Sequence, residues 1–392
     1  MIIRKAAANS FEDALKLVKK TGCDERAYGL LAAKAVIKPI VIEKIDNRAA
    51  AIFKQEALSC GAELAVNEKV SRFKKGFSDA VLFATLRQMQ LLAGKLSFQP
   101  FGLKEVAAGL AEIACGFTWN KKVLKYGNKK IDLSKPAVMG IINLDLSSFS
   151  GDGISDADMA AERAAEFERA GAKIIDIGAQ SSRPGSKLTD SKNEIKRLLP
   201  ALKKIRKKVK IPLSVDTYLP ETAKAALSEG ADIINDIFAL KKGGDKLVRL
   251  IAEAKAGLII MHMKGVPANM QKAPSYKNCV SEVYKFLKER KEYAETAGVK
   301  EDYISIDPGI GFGKTDEHNM ELVKNMDVFS SLGVITGGVS RKKFVRNIAG
   351  GDTSSFVAAN FLTVLCGADI IRVHDVKETV NVLNLINVFR RI

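Results

Sequence analysis

The sequence predicts an α/β protein, a (β/α)8 TIM barrel preceded by a small α/β N-terminal domain, and three observations carry that reading. From Val138 onward, eight short apolar segments alternate with helical stretches. Nearly every one of those segments ends in polar residues that a buried strand would not select. No Gly-x-Gly-x-x-Gly follows the first segment at dinucleotide-binding spacing, which disfavours an open doubly wound sheet. Repeated β-then-α units with apolar strands make a parallel sheet, and eight of them favour closure.

Residues 1–118 read as the small α/β domain. Ser10 caps a helix opening at Phe11, Ala35–Ile42 reads as a strand, and Arg48–Cys60 as a helix. Glu63–Val66 and Asp79–Ala84 read as further strands, then a helix runs to Leu96 and a last one from Pro100 to Gly116. This module carries no chemical motif. Residues 119–137 resemble a hairpin turning at Gly127-Asn128, either a plug for the N-terminal mouth of the barrel or a plain linker.

The barrel occupies 138–392. Its strands are expected at Val138–Asn143, Lys173–Ala179, Ile211–Asp216, Ala231–Asp236, Gly257–Met263, Tyr303–Asp307, Gly333–Gly338 and Asp369–His374. Asp156–Ala170, Pro220–Glu229 and Val280–Ala297 show the intervening helices clearly.

The 392 residues carry 62 Lys and Arg against 45 Asp and Glu, a net charge of +17. The densest basic run, Lys203, Lys204, Arg206, Lys207, Lys208 and Lys210, follows apolar residues at helical spacing and reads as a solvated helix face. Few aromatics interleave with the basic residues, so no nucleic-acid partner is expected. Cys23, Cys60, Cys115, Cys279 and Cys366 are scattered, with no Cys-x-x-Cys, which argues for a reducing compartment and against a zinc site. No signal-peptide core and no membrane-spanning apolar run is visible, so the expected location is the cytoplasm.

The strand ends supply the candidate site, because in a barrel they converge on one mouth. They bring Asn143, the loop Gln180-Ser-Ser-Arg-Pro-Gly185, Asp216-Thr217, Asn235-Asp236, His262, Asp307-Pro-Gly-Ile-Gly-Phe-Gly-Lys314, Ser340-Arg-Lys342, Arg372 and His374. Each has a bland alternative: Asp216 as a helix cap, His262 as a core histidine, Asp307 as a turn residue. Asp216, Asn235 and Asp307 are acceptor-rich groups suited to a flat heterocycle edged with N–H donors. Arg183, Lys342, Arg372 and His374 are donors, with close backbone approach at Gly185 and Gly338, and suit a phosphate or pyrophosphate. There is no Ser–His–Asp order, paired-carboxylate pattern or metal-ligand cluster.

Read together, Met139-Gly-Ile-Ile-Asn143, Asp176-Ile-Gly178, Ser182-Arg-Pro-Gly185, Ser214-Val-Asp-Thr217, Ile234-Asn-Asp-Ile237, Met261-His-Met-Lys-Gly265, Asp307 to Lys314, Ser340-Arg-Lys342 and Arg372-Val-His-Asp-Val376 resemble dihydropteroate synthase. The match holds in order and spacing from about Trp119 to the C-terminus, and the N-terminal module resembles an extension of longer family members.

The resemblance implies condensation of (7,8-dihydropterin-6-yl)methyl diphosphate with 4-aminobenzoate, giving 7,8-dihydropteroate and pyrophosphate, a step of folate biosynthesis. It implies that Asp216, Asn235, Asp307 and Lys342 hold the pterin. Asn143 would bind Mg2+ with the diphosphate, and Ser182, Arg183, Arg372 and His374 would grip the diphosphate. Phe312 and Ser340 would lie near the amine, with Arg183, Lys342, Arg372 and His374 as the catalytic set. A homodimer is the implied assembly.

Two loops depart from the family pattern. After Asn143 the family shows x-Thr-Pro-Asp-Ser-Phe, and here the run is Leu144-Asp-Leu-Ser-Ser-Phe149. Ser182 stands where threonine is usual, and Gln180 where glutamate is common. The first departure bears on amine specificity or turnover, with Asp145 as a partial substitute for the lost carboxylate. A methyltransferase passing a methyl group from a reduced folate to a corrinoid protein, a catalytically weakened pterin-binding protein, and a synthase using a larger arylamine stay open as alternatives.

Overall fold

The computed structural model describes residues 1, 3, 6, 8–118, 122–144, 156–180 and 189–389. They fall into two compact units, Met1–Asn120 and Lys121–Ile392.

The first unit is built on an antiparallel sheet of β1 (Ile37–Asp46), β2 (Glu63–Val66) and β3 (Phe77–Thr85), with β3 central. One face alternates Ala80, Leu82 and Ala84 with Leu64 of β2, and packs on Phe53, Ala57, Met89, Leu92 and Leu96 from two helices. Thr85 and Gln88 form a capping box that starts the helix Leu86–Leu96 directly from β3. β1 runs past the expected end at Ile42 because a bulge, with Lys44 left-handed at φ 54°, realigns the strand with β3. The last helix starts at Leu103, not at Pro100, because Phe101 and Gly102 are left-handed (φ 60° and 82°) and cannot join a right-handed helix.

In the second unit a hairpin comes first, β4 (Val123–Tyr126) and β5 (Lys129–Asp132). Eight parallel strands then close a barrel among the described residues: β6 (Ala137–Asn143), β7 (Ile174–Gly178), β8 (Leu213–Asp216), β9 (Ile233–Asp236), β10 (Gly257–Met261), β11 (Ile304–Asp307), β12 (Val334–Gly337) and β13 (Ile370–Val373). Strand pairing runs in sequence order, and β13 pairs with β6 to complete the ring. The strands are buried on both faces, which explains their unbroken apolar runs. His262 lies one residue past β10 rather than inside it, since the ladder to β11 stops at Met261 and Asp307.

The hairpin sits under this ring. Leu124, Tyr126, Ile131 and Leu133 pack with Met139, Ile174, Ile233, Ile259, Val334 and Ile370, the inward residues near the strand starts. Gly127 N–H donates to the Lys255 carbonyl at 2.6 Å, and the Tyr303 hydroxyl donates to the Gly127 carbonyl at 2.7 Å. The hairpin thus fills the end of the barrel opposite the polar strand ends.

Lys203, Lys204, Lys207 and Lys208 of the basic run lie on the exposed side of the helix Ser191–Lys208, whose Leu198, Ala201, Leu202 and Ile205 are buried, whereas Arg206 is half-buried against Asp232 and Lys210 follows the helix. Lys203, Lys204 and Lys208 pair there with Glu229, Asp158 and Glu162. No described helix is long and apolar enough to cross a membrane.

Candidate active site at the strand ends

Each candidate side chain is aimed by the register of its strand. Asp216 and Asn235 are neighbours across β8 and β9, so both end the same inward row. Neither caps a helix. Thr217 takes that local role: its hydroxyl accepts from Leu219 N–H at 3.2 Å and donates to the buried Glu194 at 2.9 Å. Asp236, next in sequence, is structural, because its carboxylate accepts from Phe238 and Leu240 N–H at 2.8 and 2.7 Å.

Arg372 links the two halves of the mouth. Its Nε donates to Asp176 at 2.5 Å and its Nη2 to Asp216 at 3.1 Å. The amide of Asn235 donates to the same oxygen of Asp176 at 3.3 Å. Burial pushes the Asp216 carboxyl well above the ordinary range, opposed by the Arg372 charge and reinforced by that of Asp176. Arg372 itself is held fully charged: burial works against the guanidinium, but the two carboxylates outweigh it.

Asp307 ends β11, and one of its oxygens accepts from Gly309 N–H at 2.7 Å. The turn reading is therefore correct in part, yet the carboxylate also feels the charges of Lys342 and Arg372. Burial raises its pKa and those cations lower it. Lys342 donates to the carbonyl of Ile310 and sits 4.5 Å over the Phe312 ring. Burial drops its pKa to about 8, with Asp307 resisting the fall. Gly309 is obligatory there, since a Cβ at its φ of 67° would lie 1.8 Å from the His262 carbonyl oxygen.

Ser340 and His374 meet at the neighbouring strand ends. Ser340 Oγ lies 3.1 Å from His374 Nδ1 and accepts from the His374 N–H at 3.2 Å. Asn143 ends β6 half-buried, with its Oδ1 3.7 Å from the point where a Gly178 side chain would begin. His262 is a core histidine, only 6% exposed, edge-on to Phe286 and bonded to Lys314. Ser182, Arg183, Gly185 and Asp145 lie outside the described residues.

The arrangement is an acceptor pole beside a cationic pole at the strand ends, the pairing needed for a heterocycle that carries an anionic leaving group. The pterin-binding enzyme family matches residues 139–374. A dihydropteroate synthase of Streptococcus pyogenes is 37% identical over 272 residues, covering 67% of this chain and 99% of that one. The chain belongs to the dihydropteroate synthase family.

A dihydropteroate synthase of Xanthomonas albilineans, solved with 4-aminobenzoic acid, superposes at a TM-score of 0.64 with 33% identity, over 69% of this chain and 99% of that one. A probable bifunctional folylpolyglutamate synthase/dihydropteroate synthase of Halobacterium salinarum is 33% identical over 95% of this chain, which spans 45% of that relative's length. The first unit is therefore shared with that longer relative of the dihydropteroate synthase family. As a member of this family the chain is a transferase on a TIM barrel.

One residue at the strand ends was not singled out from the sequence. Asp176 was visible only as part of a motif, although it is a wholly buried acid inside the apolar run Ile174–Gly178. The signal that singled out Asn235, a polar group where neither a cap nor solvent explains it, applied equally to Asp176. Gln180, where the dihydropteroate synthase family favours glutamate, donates to the Tyr218 hydroxyl at 3.3 Å.

Proposed function

We propose that the chain condenses (7,8-dihydropterin-6-yl)methyl diphosphate with 4-aminobenzoate to form 7,8-dihydropteroate and pyrophosphate. The observation that carries this reading is the Arg372 guanidinium bridging Asp176 and Asp216 beside Asn235, so that a cation able to meet diphosphate borders the acceptors able to meet a pterin.

Asp216, Asn235 and Asp307 accept from the ring N–H and amino groups, and Lys342 donates to the ring from the opposite edge. Burial of these acceptors supports specificity, because a ligand lacking the matching donors leaves them unpaired at a cost of about 1–3 kcal/mol each. Arg372 and His374, with Ser182 and Arg183, hold the diphosphate and stabilise its growing charge. The amine nitrogen bonds to the exocyclic methylene carbon as the C–O bond breaks, the electron pair leaves with pyrophosphate, and the surplus proton passes to solvent. A neutral arylamine needs no strong base, and Phe312 with Ser340 lines its approach. Holding both substrates in one cavity supplies the rest.

The donor set also fits Mg2+ in one way. No described cluster of three or more His, Cys, Asp or Glu could hold a metal alone. Asn143 offers one neutral oxygen, which suits an ion that keeps waters and brings diphosphate oxygens as its other ligands. When bound, Mg2+ would supply charge neutralisation on the diphosphate.

A homodimer is supported by exposed Ile348, Leu362, Leu365 and Leu385 on the last three helices of the barrel unit. Five free cysteines support a reducing cytoplasm. The methyltransferase reading is disfavoured, because methyl transfer makes no use of the cationic pole. The test is direct: purified protein receives the pterin diphosphate, Mg2+ and 4-aminobenzoate, and pyrophosphate and dihydropteroate are followed. Stoichiometric release of both supports the reading, and methyl transfer from a methylated folate without either product would replace it.

A further inference from the structure

Asp176 lies within β7 at 0% exposure, between Ile175 and Ile177. A carboxylate so placed persists only with partners. All of its partners meet one oxygen: Arg372 Nε at 2.5 Å and the Asn235 amide at 3.3 Å. Among the described residues its other oxygen has none, and neither does the hydroxyl of Ser214, the residue opposite it across β7 and β8. The second contact of Arg372, to Asp216, is longer at 3.1 Å and lies at the half-buried end of β8.

Resting on the reading of Arg372 as the partner of the diphosphate, we infer that Asp176 is a positioning residue that anchors Arg372, so that an incoming substrate exchanges only the contact between Arg372 and Asp216. The Nε bond sits deep in the barrel, out of a ligand's reach. The Nη2 bond sits at the mouth, within it. A diphosphate oxygen that takes over Nη2 thereby frees the Asp216 oxygen for a ring N–H, and one event readies both poles. Without the Asp176 charge, Arg372 loses its deeper partner and closes on Asp216, which blocks the acceptor and misdirects the cation together.

Asp176→Asn keeps the shape and both acceptor contacts while removing the charge. It is expected to lower kcat/KM for the pterin diphosphate more than tenfold. In an Arg372→Ala background the same substitution is expected to change turnover less than twofold, because its effect passes through Arg372. Full additivity of the two substitutions would overturn the anchor, since a merely structural role adds. Wild-type turnover tests the reading of the site, and the variant ratio tests the anchor, so the two failures are distinct. A second readout needs no turnover. The Arg372 Nε–H of the wild-type enzyme, assigned by its loss in Arg372→Lys, is expected to be protected from solvent exchange in 15N–1H spectra. Fast exchange of that proton in the ligand-free enzyme contradicts the proposal.

Discussion

The ammonium of Lys314 donates to Nδ1 of His262 at 2.9 Å, and both side chains are buried. The bond pins the loop after β11 to the end of β10. It requires an unprotonated imidazole, and burial together with the Lys314 charge drives the His262 pKa down to about 2. Burial also lowers Lys314, to about 7 from an ordinary 10.5.

The sign of the pH effect follows. Between pH 7 and 10.5 the unfolded chain binds a proton at Lys314 that the folded chain resists, so stability rises with pH across that window. The same holds for His262 between 2 and 6.5, so stability falls as the medium is acidified below 6.5. Urea denaturation at about pH 7 and about pH 9.5 should show a gain for wild type that shrinks in Lys314→Met; an equal gain in both would remove Lys314 from the account.

Gly309 is predicted to be intolerant of any side chain, since the obstructing atom is backbone. Gly309→Ala should lower the melting temperature and abolish turnover, as the loop carrying Phe312 and the Ile310 carbonyl shifts. Calorimetric melting and the product assay decide the matter; normal values of both would mean the loop relaxes freely.

The plug should contribute stability without contributing chemistry. Leu124 is fully buried, so Leu124→Ala should cost about 2–5 kcal/mol. Pterin affinity should stay within twofold of wild type at a temperature where the variant is folded. A loss under about 1 kcal/mol would place the hairpin outside the barrel core.

Asp216→Ala and Asn235→Ala should each weaken pterin binding by more than about tenfold, ~1.4 kcal/mol. Isothermal titration with the pterin diphosphate reads this directly. Unchanged affinity in both variants would refute the acceptor pole.

Arg372→Ala should slow pyrophosphate release by about a hundredfold or more. Single-turnover measurement separates this from weakened binding. An unaltered rate at saturating substrate would remove Arg372 from stabilising the leaving group.

The barrel was legible in the chain because doubly buried parallel strands leave apolar runs that survive any change of loop. Asp216, Asn235 and Asp307 were legible because each interrupts such a run at its C-terminal end. What stayed hidden depends on partners distant in sequence. Asp176 owes its place to Arg372, 196 residues away, and the pin of Lys314 on His262 spans 52 residues. The bulge in β1 was equally hidden, since it reflects alignment with β3 rather than any turn residue at Lys44.

The most direct test of the whole account is a crystal structure of this chain with the pterin diphosphate bound. The account predicts the pterin ring bonded to Asp216, Asn235 and Asp307, with a phosphate oxygen on Arg372 and the contact between Arg372 and Asp216 opened. A ring seated elsewhere, or one in the mouth that leaves those three acceptors unengaged, would contradict it.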